Sequence, residues 1–181
     1  LRHSSDDLTR MVRTFVATGD PVYRSRYQEI LDIRDGKRPR PVDYQNIYWD
    51  LVSADDQRPR PFGPAKALQE SIAEAGFPVT EGALLEEAKA RSDALAKLEK
   101  KAMDLMERDE PGARAQATAM LHSAEYHQAK AGIMRPLADV YQQMVTRTSR
   151  AVEDAARKAT ILRVIFLLAG LFLLLALLRV Y

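Results

Sequence analysis

Residues 164–178 read Val-Ile-Phe-Leu-Leu-Ala-Gly-Leu-Phe-Leu-Leu-Leu-Ala-Leu-Leu, with no charged or strongly polar side chain among them. Extended to Ile161 and Val180, the run becomes a twenty-residue segment with Arg163 and Arg179 near its ends. A helix needs roughly 20 mostly apolar residues to cross a hydrocarbon core about 30 Å thick. Both arginines are placed to snorkel towards headgroups. The run therefore predicts a transmembrane helix over 161–180. A buried core helix is the competing reading, but the run has no polar face to turn to water. A domain over 1–160 of ordinary soluble composition feeds directly into the span.

The 27 basic and 25 acidic residues leave a formal charge of only +2, which gives no basis for a nucleic-acid partner. The absence of cysteine removes disulfides, thiolate metal sites and cysteine nucleophiles. Leu1 is not an initiator methionine and no signal-peptide pattern follows it, so the chain reads as a piece or mature form of something longer.

Leu1, Ser5, Leu8, Val12 and Phe15 step alternately by four and three; with Met11 and Val16 they form one apolar helical stripe. Thr18-Gly19-Asp20-Pro21 breaks that helix. Gly19 suits a left-handed end, Asp20 an N-cap and Pro21 a first helical position. A second helix runs to about Asp35, with Tyr23, Tyr27, Ile30 and Leu31 on one face, and Gly36 stops it.

Residues 37–78 form an irregular insert. Lys37-Arg38-Pro39-Arg40-Pro41 and Arg58-Pro59-Arg60-Pro61 bracket a short apolar segment containing Tyr44, Tyr48 and the only tryptophan, Trp49. Proline at this density predicts extended turns rather than regular helix. Pro64 to Ala75 reads as a short amphipathic helix. Thr80 is a suitable cap for the next helix, whose seam Leu84, Ala88, Arg91, Leu95, Leu98, Ala102 and Leu105 follows a heptad. Asp109-Glu110-Pro111 separates it from a last helix running from about Ala113 into the span, kinked or divided at Pro136. Past Pro136, a second seam of Tyr141, Val145, Thr148, Val152, Ala155, Ala159 and Leu162 enters the span without a linker. The 23 residues from Arg135 to Arg157 make a stalk roughly 35 Å long at about 1.5 Å each. No segment alternates as a strand would. The expected fold is all-α: an elongated antiparallel helical bundle with a Pro-rich cap, its last helix continuing into the membrane.

Ser4-Ser5-Asp6-Asp7-Leu8-Thr9-Arg10, followed by Arg13-Thr14-Phe15-Val16-Ala17-Thr18-Gly19-Asp20-Pro21, resembles the helical extracytoplasmic input domains of bacterial two-span receptors, of the CHASE and four-helix-bundle type. Those domains carry an aromatic-hydrophobic-x-Thr-Gly-Asp motif after the first helix. The resemblance extends to the order of features and covers most of the chain outside residues 37–78. It implies a sensor domain in the periplasm or extracellular space, anchored in the bacterial inner membrane. It also implies a first span immediately before Leu1 and a cytoplasmic histidine kinase, diguanylate cyclase or phosphodiesterase, or chemotaxis module after Tyr181.

Candidate sites have paired readings. Arg91, among Leu and Ala of the seam, either grips a carboxylate ligand between helices or pairs with an acid such as Asp93 of a partner helix, or lies at the seam's edge with Ser92 inward. Arg10 and Arg13 either face a pocket at a subunit interface or are solvated or paired with Asp6 or Asp7. Tyr44, Tyr48 and Trp49, flanked by Arg38, Arg40, Arg58 and Arg60, either line a pocket for a small anionic or aromatic ligand or plug the bundle end. His122 and His127 are five apart and diverge, so His122, Glu125 and His127 do not match a helical zinc pair. No catalytic residue, metal or cofactor is expected in this segment.

The functional expectation is a homodimeric signal-input domain for an unknown small-molecule or protein signal. Thr18, Gly19, Asp20, Pro21 and Pro136 are its bending points, and its final helix transmits the signal. A membrane-anchored coiled-coil adaptor without a ligand is the alternative, and a bundle enzyme or metal/haem protein a third.

Overall fold

The computed structural model describes residues 1–44, 47–55, 57–108 and 110–180. It contains seven helices and one two-stranded sheet among those residues: α1 Arg2–Thr18, α2 Pro21–Arg34, β1 Asp35–Pro41, α3 Tyr48–Asp55, β2 Phe62–Ala67, α4 Leu68–Glu74, α5 Val79–Met106, α6 Ala113–Leu121 and α7 Ala124–Val180. Two compact units result, Leu1–Val140 and Tyr141–Tyr181.

In the first unit α1 buries Ser5, Leu8, Met11, Val12, Phe15 and Val16, the stripe read from the sequence. Its end is a fully bonded corner. Gly19 sits at φ 77° and its N–H donates to Phe15 O at 2.7 Å. The Asp20 carboxylate accepts the Val22 N–H at 2.9 Å, and Pro21 opens α2. The core joins Leu8, Val12 and Phe15 of α1 to Tyr27 and Ile30 of α2, Leu95 and Met103 of α5, Leu121 of α6, and Tyr126 and Ile133 of α7.

The Pro-rich insert departs from expectation. β1 and β2 pair antiparallel, Asp35 opposite Ala67, Pro39 opposite Ala65 and Pro41 opposite Phe62, with register shifts between the pairs. Proline survives here because each strand of a two-stranded ribbon leaves one edge unpaired, and bulges absorb missing donors. Gly36, at φ 74°, is a steric requirement: a Cβ there would lie 2.5 Å from Ala67 N. The helix expected from Pro64 begins only at Leu68, because residues 62–67 are drawn into the ribbon.

One further boundary differs, and two are refined. α5 starts at Val79 behind Pro78, so Thr80 lies inside the first turn and is not the cap. The final helical stretch begins at Ala113 as expected, with a short break: α6 ends at Leu121, and α7 begins after Ser123, whose Oγ accepts the Tyr126 N–H at 3.1 Å. Pro136 does not divide α7, which continues from Ala124 to Val180.

In the second unit the helix from Tyr141 is exposed along its seam, Tyr141 at 70% and Val152 at 63%. The apolar segment is long and apolar enough to cross a membrane, and none of it is buried within the chain, unlike the core helix of a single folded unit.

Candidate functional site

The centre of the first unit holds a carboxylate that the sequence reading missed. Glu99 of α5 is 1% exposed. The Tyr27 hydroxyl of α2 donates to its Oε2 at 2.9 Å, and the Tyr126 hydroxyl of α7 donates to its Oε1 at 2.7 Å. Thr9 of α1 lies 2.9 Å from the Tyr126 oxygen. Lys130 Nζ reaches Thr9 Oγ1 at 3.1 Å, Ser5 O at 2.7 Å and Asp6 Oδ1 at 2.9 Å. The chain Lys130–Thr9–Tyr126–Glu99–Tyr27 thus crosses all four main helices of the bundle. Burial pushes the Glu99 carboxyl above its usual range, against the opposing pull of the two phenols and the Lys130 charge. The same burial, with the Glu99 charge beside them, raises both phenols.

Glu99 was hidden by a one-residue ambiguity. The observed seam is Glu81, Leu85, Ala88, Ser92, Leu95, Glu99 and Ala102, which also steps by four and three. It shares Ala88, Leu95 and Ala102 with the expected seam, and Leu105 is buried as expected, but Leu85, Ser92 and Glu99 take the inward places of Leu84, Arg91 and Leu98, of which Leu98 packs partly buried against the core. Arg91 is therefore not a core residue: its side chain is 48% exposed and pairs with Glu87, while Ser92 faces inward. Within the chain, Asp93 pairs with Arg34 at 2.7 Å.

Arg91 nevertheless has a specific contact. Its guanidinium donates to Gly132 O of α7 at 3.2 Å. Gly132 is four residues before Pro136, and proline has no N–H to close that turn. Arg91 thus supplies from α5 the donor that Pro136 withholds within α7.

Arg10 is paired with Asp7 at 2.9 Å and with Asp50 of α3. Burial pushes the Asp7 carboxyl up to about 6, opposed by Arg10 and reinforced by Asp50 and Asp6. Arg13 donates to Leu121 O at 2.8 Å and lies 5.1 Å over the Tyr126 ring, tying α1 to the α6–α7 corner. Each of these arginines is engaged within the chain.

The insert supplies an aromatic cap. Tyr48 and Trp49 are 2% and 1% exposed and belong to the main core. They meet edge to face at 5.3 Å, and Trp49 Nε1 donates to the Tyr44 hydroxyl at 2.6 Å. Arg58 lies 5.6 Å over Trp49 and, with Arg38, pairs with the buried Glu29. Arg40 lies 5.5 Å over Tyr44, and Arg60 pairs with Asp43 at 3.1 Å. The structure therefore separates the grouped candidates: Tyr48 and Trp49 plug the core, while Tyr44 and Arg40 sit at its edge.

No protein-family model, curated protein or solved structure matches this chain.

Proposed function

We propose that the chain is the signal-input portion of a transmembrane receptor, acting as a homodimer and coupled through α7 to an output module such as a histidine kinase or cyclic-dinucleotide enzyme. The carrying observation is the continuity of α7: one helix contributes Tyr126, Ile133 and Val140 to the bundle and extends through the apolar segment to Val180. A helix that runs on unbroken carries a shift or rotation along its axis, whereas a loop would dissipate it. The likeness of the Thr18–Pro21 region to receptor input domains supports the same reading, with the soluble unit outside the cytoplasm of a bacterial cell. On this reading, a signal at the bundle biases two packings of its helices, and the buried Glu99 network is the element whose partners must move together.

The test fuses residues 1–181 in frame to a receptor output module and inserts residues after Thr148. One added residue rotates everything beyond it by roughly 100°. Seven added residues restore a heptad seam. Output is expected to be lost or locked by the first insertion and recovered by the second. Output indifferent to both would refute transmission through α7 and favour a membrane-anchored structural adaptor.

A further inference from the structure

A cavity of about 200 Å³ opens where the start of α1, the end of α2, β1 and the start of α4 meet. At about 30 Å³ per water, it has room for roughly seven waters or a small molecule of similar size. Its chemistry is uneven. Ile30 and Ile33 of α2, 0% and 2% exposed, line an apolar side. Arg34, Arg40, His3, Ser4 and Tyr44 contribute the polar side chains of the lining, and Leu1 and Leu68 complete it. No carboxylate is among the lining residues.

The cations differ in availability. Arg34 is committed: its guanidinium donates to Ser92 Oγ at 3.1 Å and to Asp93 at 2.7 Å. Arg40 pairs with no carboxylate among the described residues and is held in place by the Tyr44 ring. The Tyr44 oxygen already accepts the Trp49 N–H, so its own proton remains to be donated. A guanidinium and a phenol facing an apolar wall suit a carboxylate with a short hydrocarbon tail. An amino-acid zwitterion is disfavoured because the lining offers no acid for its ammonium group.

We infer that this cavity binds a small organic monocarboxylate, with Arg40 and Tyr44 holding the carboxylate and Ile30 and Ile33 the hydrocarbon part. As the ligand of a receptor, this molecule rests on the function proposed above; as a binding site, the cavity stands independently of it. The ligand would touch the α1–α2 pair and the cap together, and so alter the packing that the Glu99 network holds.

Trp49 is the only tryptophan and is bonded to Tyr44, so its emission reports on the site directly. The full chain in lipid nanodiscs is titrated with butyrate, with butyramide as the neutral isostere and inorganic phosphate as an anion without a tail. Trp49 fluorescence and calorimetry provide the two readouts. Saturable butyrate binding is expected, at least tenfold tighter than butyramide or phosphate. Arg40→Gln, on an exposed strand, is expected to weaken butyrate at least tenfold with an unchanged melting temperature. Leu68→Phe, which narrows the cavity from α4 and keeps Trp49 the only tryptophan, is expected to do the same independently.

Absence of saturable butyrate binding, equal binding of butyramide, or butyrate affinity unchanged in both variants would overturn the site. Phosphate binding as tight as butyrate would overturn its assignment to carboxylates. Failure here with a positive Thr148 insertion result removes the ligand class and leaves the receptor. The converse leaves a binding site on a protein that does not signal through α7.

Discussion

Glu99 shows how much a buried residue depends on its partners. A carboxylate removed from water is costly unless its oxygens are satisfied, and here two phenols from different helices do so. Glu99→Ala leaves both donors without their acceptor and is expected to lower stability by about 3 kcal/mol. Glu99→Gln keeps an acceptor and removes the charge, so it is expected to be far milder. The pH dependence has a definite sign. The folded carboxyl titrates above the ordinary value of 4.5, so the folded state holds the proton more tightly than the unfolded chain. Stability from this group is therefore greatest at acid pH and falls as pH rises from the ordinary value through the raised one. Urea midpoints across that range should show Glu99→Gln gaining on the parent protein as pH increases. A constant difference between the two would show that Glu99 does not titrate there.

At the scale of elements, α5 and α7 are joined by a defect and its repair. Pro136 leaves the Gly132 carbonyl without its helical donor, and Arg91 reaches across from α5 to supply one. The two residues should therefore be energetically coupled. Arg91→Ala alone orphans the carbonyl, while in a Pro136→Ala background the helix provides its own donor and the cost of losing Arg91 shrinks. A double-mutant cycle is expected to return about 1 kcal/mol of coupling. Additive effects would mean that water serves the carbonyl as well as Arg91 does. Elements defined by local chemistry were legible from the residues alone, as at the Thr18–Pro21 corner, where glycine, aspartate and proline each act on their immediate neighbours. The α5 seam was not, because leucines at 84, 85, 95 and 98 support two registers. The β1–β2 ribbon was missed because its proline-rich strands lack any alternation, and only their pairing makes them strands.

At the scale of the molecule, α7 beyond Val140 exposes Tyr141, Val145 and Val152 in the single chain. In the homodimer proposed above, this seam would be buried against a second copy in a parallel coiled coil. The natural absence of cysteine makes this directly testable in the full chain in membranes. Single substitutions Val145→Cys, Thr148→Cys and Val152→Cys are expected to form disulfide-linked dimers readily under mild oxidation, and Gln143→Cys and Arg150→Cys poorly. Uniform cross-linking at all five positions would refute a seam-to-seam dimer. By itself the sequence determined the helical class, the apolar span, the α1 stripe and the first corner, because each follows from periodicity or from residues adjacent in the chain. Tertiary structure alone decided which α5 register is buried, that Trp49 belongs to the core while Tyr44 edges a cavity, and that Glu99, Tyr27, Tyr126 and Thr9 share one network. The physical reason is that burying a polar group is tolerable only once its partners arrive, and these come from helices up to 117 positions away in the chain.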